Sequence, residues 1–98
     1  MTITKKQTGA TLEVTLDGRL DTTTAPEVEA ELKGSLNGIK SVTMDFSKVE
    51  YISSAGLRVL LSVRKALGLG NTMKITNVND IAREVFTVTG FDSFLTIE

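Results

Sequence analysis

The sequence predicts a two-layer α/β fold: a mixed, mostly parallel sheet with helices mainly on one face, in the order β-β-α-β-α-β-α-β. Three observations predict it. Segments with a hydrophobic period of two take turns with longer segments of helical period, which implies parallel pairing through right-handed crossovers. Each strand alternates apolar with polar residues, as Leu12, Val14 and Leu16 do against Thr11, Glu13, Thr15 and Asp17. Strands buried on both faces read as continuous apolar runs instead, so one sheet face is left Thr-rich, solvated or covered by a partner. Finally, 98 residues without linker, repeat or low-complexity tract suit a single core and one domain, residues 1–98.

The elements follow in order. Thr2 to Gln7 is an edge-strand candidate, and Thr8-Gly9-Ala10 is a turn into the second strand, so the first two strands form a hairpin. Thr24-Ala25-Pro26-Glu27 has the spacing of a capping box, with Thr24 as N-cap and Pro26 in the first turn, where its missing N–H costs nothing. Ala25, Val28, Leu32 and Leu36 make a core-facing stripe, closed by Gly34 or Gly38. Val42, Met44 and Phe46 give the third strand, followed by a short turn and the pair Ser53-Ser54. A second helix runs from about Ser54 to about Leu67. Leu57, Val59, Leu60, Leu61, Val63, Ala66 and Leu67 cover most of its circumference and leave Arg58, Ser62 and Lys65 as one polar stripe. Met73 and Ile75 share a face of the fourth strand. Asn77 or Asn79 caps a last helix carrying Ile81, Val85, Phe86 and Val88, which Gly90 stops. Phe94 to Ile97 is the final strand.

Composition removes several function classes. The net charge of -1 gives no reason to expect nucleic-acid or anionic-membrane binding. No apolar run approaches the roughly 20 residues that span a bilayer, and the N-terminus lacks a signal-peptide core. There is no Cys to staple a secreted fold, so a cytoplasmic location is expected. Without His a Ser-His-Asp triad cannot be built, and without His and Cys a zinc site loses its usual ligands. No calcium loop, Walker loop or dinucleotide-binding glycine pattern is present. Neither a catalytic residue nor a metal ligand is nominated.

Attention therefore falls on Ile52-Ser53-Ser54-Ala55-Gly56. A serine before a helix is most simply an N-cap, but a cap needs only one of the two. As a nucleophile, Ser54 lacks a base. As a phosphate acceptor it fits, because a helix N-terminus offers free N–H groups and a positive dipole end. The small Ala55 and Gly56 would admit another backbone.

Three stretches resemble the bacterial anti-sigma factor antagonists, the single-domain STAS proteins: Gly18-Arg19-Leu20-Asp21, Asp45-Phe46-Ser47 through Tyr51-Ile52-Ser53-Ser54-Ala55-Gly56-Leu57, and Val85-Phe86-Thr87-Val88-Thr89-Gly90-Phe91. The resemblance covers almost the whole chain and keeps the motif order. It implies a mixed sheet with helices wound along it and a non-enzymatic partner switch without a cofactor of its own. In that family the unphosphorylated protein binds an anti-sigma factor that is also a GHKL-type serine kinase, releasing the sigma factor for transcription. The kinase phosphorylates the helix-start serine, and a PP2C-type phosphatase resets the switch. Against the family pattern Met-Asp-Ser-Ser/Thr-Gly-Leu, Ile52 takes the Met place and Ser53 the Asp place. Ser54 is the expected acceptor, with Ser53 as second choice, while Ala55 and Gly56 take the next two places. Asp21 matches an Asp that supports kinase recognition, and by its own chemistry reads equally as a turn or capping residue. Arg19 stands where an acid is frequent. The expected partner surface is Asp21, Ser53, Ser54, Ala55, Gly56, Arg58 and Ser62; the Arg58, Ser62 and Lys65 stripe also reads as a solvated helix face. The alternative function is a STAS accessory or scaffold subunit, in a lipid-transport or signalling complex, without a serine switch.

Overall fold

The computed structural model describes residues 1–68, 70–93 and 95–98. One sheet holds β1 (Thr2–Thr8), β2 (Thr11–Leu20), β3 (Ser41–Ile52), β4 (Thr72–Thr76) and β5 (Thr96–Ile97), side by side in chain order. β1 and β2 are the antiparallel hairpin, turned at Gly9 with φ +59°; every other pair is parallel. The crossovers carry α1 (Ala25–Lys33), α2 (Ser54–Leu67) and α3 (Asp80–Thr89). The order and the mixed pairing agree with the sequence expectation.

The alternation decides which face is covered. Leu12, Val14 and Leu16 of β2, Val42, Met44 and Phe46 of β3, and Met73 and Ile75 of β4 are buried together with Val28, Leu32, Leu60, Val63 and Phe86 from the three helices. Phe46 and Phe86 meet with ring centroids 6.2 Å apart. The opposite face is polar: strand register sets Thr15, Asp45 and Thr76 in one row and Thr11, Ser41 and Thr72 in another, all half-buried or exposed.

The chain departs from expectation in five places. The turn expected after Phe46 is absent, and β3 runs on to Ile52. Two register shifts against β2 explain why the period broke. Between the pairs Thr15↔Asp45 and Asp17↔Lys48, and again between Gly18↔Val49 and Arg19↔Tyr51, β3 uses one residue more than β2. These bulges move the buried positions from Phe46 to Val49 and then Ile52. Asp45 holds the first one: its Oδ1 accepts from the Ser47 N–H at 2.8 Å and from the Asn77 amide at 3.0 Å. Those bonds, the Ser47 N–H foremost, keep its carboxyl below the usual carboxylate range.

The capping box at Thr24 does not form. The Thr24 side chain makes no cap bond to α1; its Oγ1 donates to the Arg19 carbonyl at 2.7 Å and accepts from the Asp21 N–H at 3.0 Å. In α3, Asn79 is the cap, but Ile81 and Val88 stay 75% and 80% exposed while Ala82 and Phe86 face the core. Ala66, expected against the core, is also exposed. The last strand begins at Thr96; Phe94, expected within it, lies outside the described residues.

Candidate functional site

The site lies where β2 and β3 end. Leu20 pairs with Ile52, and the Ser53 N–H donates to the Leu20 carbonyl at 2.9 Å. Past this pair β2 turns through Asp21 towards α1, and β3 turns through Ser53 into α2. Asp21 and the serine pair therefore leave neighbouring parallel strands at their carboxyl ends, the edge where open α/β sheets present their binding sites.

Ser53 is the N-cap of α2, with extended backbone (φ -99°, ψ 176°) and its Oγ accepting from the Gly56 N–H at 3.4 Å. Ser54 follows as the first helical residue, is exposed, and has no hydrogen-bond partner for its hydroxyl among the described residues. The two serines divide the work: one closes the helix end, the other is presented on it. No acid stands in the first turn of α2.

Gly56 is fixed by packing. A Cβ there would lie 2.8 Å from Leu20 Cγ, 2.9 Å from Ile52 Cγ1 and 2.9 Å from the Leu20 carbonyl oxygen. A backbone does approach this small residue closely, and it is the chain's own β2. Ala55 is 8% exposed and turns its methyl to the mouth of a groove between α1 and α2.

Asp21 builds the turn into α1. Its Oδ1 accepts from the Thr23 N–H at 3.0 Å and the Thr24 N–H at 3.2 Å, and Arg19 Nε stands 3.7 Å from its Oδ2. The Thr24 N–H is the largest influence lowering the carboxyl below its ordinary range, with the Thr23 N–H and Arg19 adding to it. Arg19 itself lies over the Tyr51 ring, 4.5 Å from the centroid, across the pair set by the second bulge.

The groove has a volume of ≈ 450 Å³, with Thr22, Ala25, Pro26 and Glu29 on the α1 side and Ala55, Arg58, Val59 and Ser62 on the α2 side. Ser62 Oγ donates to Glu29 Oε1 at 2.9 Å, and Lys33 Nζ lies 3.1 Å from the same oxygen. Lys33 first and Ser62 second lower the Glu29 carboxyl. Arg58 is exposed at the groove's edge and, among the described residues, has no ion-pair partner; Lys65, two turns on, points to solvent.

The structure thus brings Asp21, Ser53, Ser54, Ala55 and Gly56 to one edge, with Arg58 and Ser62 running from it along the groove. Sequence reasoning missed Glu29 and Tyr51. Glu29 was legible as the residue one helical turn after Ala25. Tyr51 was not, because its pairing with Arg19 depends on two bulges. Among the described residues no cluster of acids suits a metal ion, and no helix is long and apolar enough to cross a membrane.

Comparison with known proteins adds the relatives. The STAS domain family model matches residues 2–98. BtrV of Bordetella bronchiseptica, named provisionally as an anti-sigma factor antagonist, is 33% identical over 99 residues, covering 99% of this chain and 85% of its own. The crystal structure of an anti-sigma factor antagonist from Mycobacterium paratuberculosis superposes with a TM-score of 0.88 at 23% identity, over 98% of this chain and 83% of that one. The Bacillus cell fate determinant SpoIIAA in its phosphorylated form matches with a TM-score of 0.77 at 17% identity, over 99% of this chain and 91% of that one. At those identities the two structures establish the shared fold.

Proposed function

This chain belongs to the STAS domain family, and we propose that it is an anti-sigma factor antagonist switched by phosphorylation of Ser54. The family is one of regulatory, non-enzymatic proteins. In the unphosphorylated state the edge formed by Asp21, Ser53, Ser54, Arg58 and Ser62 docks an anti-sigma factor, a GHKL-type serine kinase, and frees its sigma factor. The kinase supplies ATP and Mg²⁺ and transfers phosphate to Ser54. The complex then separates, and a PP2C-type phosphatase restores it. A switch driven by ATP belongs in the cytoplasm.

One observation carries this reading: Ser54 is exposed, uncommitted and held on the first turn of α2, while its neighbour Ser53 does the capping. A phosphate there meets the positive end of the helix, so the fold keeps it without strain. At a docked interface the same group is costly. It adds roughly -1.5 to -2 charges, and one like charge at about 4 Å costs ~4 kcal/mol at an effective dielectric of about 20. That is about a thousandfold in affinity.

The test combines mapping with binding. Incubated with ATP and a GHKL-type kinase that binds it, the protein should take one phosphate, found on Ser54 by mass spectrometry. Ser54→Asp should weaken kinase binding by about a hundredfold or more, and Ser54→Ala should retain it. Equal binding by both variants, with no modification at Ser53 or Ser54, would overturn the switch and leave the accessory-subunit function in its place.

A further inference from the structure

We infer that Arg58 is the internal receptor for the phosphate on Ser54, so that modification inverts the local charge of the docking edge. The inference rests on Ser54 being the acceptor. Residues four apart on a helix are neighbours, with Cβ atoms about 5–6 Å apart. Ser54 and Arg58 are so placed, both exposed, and neither side chain has a hydrogen-bond or ion-pair partner among the described residues. An anion on the first turn with a cation one turn later is also the favourable order for the helix dipole.

The other charges nearby do not compete for the phosphate. Arg19 is held over Tyr51 and beside Asp21. Lys33 is paired with Glu29, and Lys65 stands about three turns from Ser54. The anion that Arg58 faces across the groove before modification is Glu29, whose carboxylate already accepts from Ser62 and pairs with Lys33. Arg58 therefore begins uncommitted and gains a dianion within reach. A guanidinium meets phosphate oxygens through two parallel N–H bonds, which a lysine cannot reproduce.

The consequence concerns the partner's chemistry. Unmodified, the edge around Ser54 presents the Arg58 cation, which fits a partner surface carrying a carboxylate. Phosphorylated, Arg58 turns along its own helix to the phosphate, and the edge presents about one net negative charge. The partner loses a cation and meets an anion in one event.

The experiment installs phosphoserine at position 54 by semisynthesis, so it needs neither kinase nor partner. Phosphorus NMR then follows the second phosphate ionisation in the wild-type background and in Arg58→Gln, Arg58→Lys and Lys65→Gln. In the wild type that ionisation should lie about 0.5 pH unit below the Arg58→Gln value in low salt. Arg58→Lys should recover part of the difference, Lys65→Gln should match the wild type, and 1 M salt should erase the gap. Equal ionisation in the wild type and Arg58→Gln would overturn the inference while leaving Ser54 as acceptor intact. Kinase mapping that misses Ser54 would overturn the acceptor while leaving the chemical contact measured.

Discussion

The starts of α2 and α3 share a plan, and two of the positions where they differ are instructive. Both have an extended N-cap whose side chain accepts from the third helical N–H: Ser53 from Gly56 at 3.4 Å, and Asn79 from Ala82 at 2.8 Å. At the first helical position α3 carries Asp80, while α2 carries Ser54. At the third, α3 carries Ala82, and α2 carries a glycine that cannot be enlarged. A helix end with a built-in carboxylate has its dipole answered permanently. The end of α2 is capped and packed but left uncharged, and the residue at the vacant place is one that a kinase can charge. Under the proposed switch, the difference separates a helix start serving the fold alone from one whose charge is open to control.

The largest effect that sharpens this contrast is at the third position. Gly56→Ala should destabilise the protein by about 3 kcal/mol, because the new methyl meets Leu20 and Ile52 with no room to move. Ala82→Gly should cost only about 1 kcal/mol through helix propensity. Urea unfolding of both variants measures the pair, and similar losses would mean that the end of β2 yields to the added methyl. Next come the caps. Asn79→Ala should cost about 1 kcal/mol and Ser53→Ala about half that, in line with the longer Ser53 bond. A larger loss at Ser53 would show it to be more than a cap. The smallest effect is at the first position. Ser54→Asp should raise stability by about 0.5 kcal/mol, and Asp80→Ser should lower it by a similar amount. Thermal unfolding in low salt reads both, and a destabilised Ser54→Asp would break the parallel between the two ends.

Much of this architecture was legible because burial on one sheet face imposes a period of two. Leu12-Val14-Leu16 and Val42-Met44-Phe46 announce both the strands and the uncovered face. Past Phe46 the legibility ends, since bulges depend on which strand lies alongside, and β2 is about 30 residues earlier in the chain. Thr24 misled for a related reason: its spacing to Glu27 suits a capping box, but Asp21 takes its N–H and the Arg19 carbonyl takes its hydroxyl. In α3, Ile81, Val85 and Val88 form one apolar stripe and Ala82 with Phe86 another, and only the sheet beneath decides which is covered. The serine pair read more easily, because capping and presentation are both local properties of a helix start. The cation at Arg58 was visible as part of a stripe, and its contrast with Arg19 and Lys33 emerged only when those two were seen to be engaged.

The clamp joining Leu20 to Ser53 and Gly56 bears on how such a protein behaves over time. A backbone bond at 2.9 Å and no room for one more carbon atom at Gly56 make the junction beneath Ser54 tightly packed. Under the proposed switch, a phosphate added to Ser54 and then removed would leave this packing as it was, and each molecule would return to the same starting state. Any memory of past signals would then reside in the balance of the enzymes that add and remove the group.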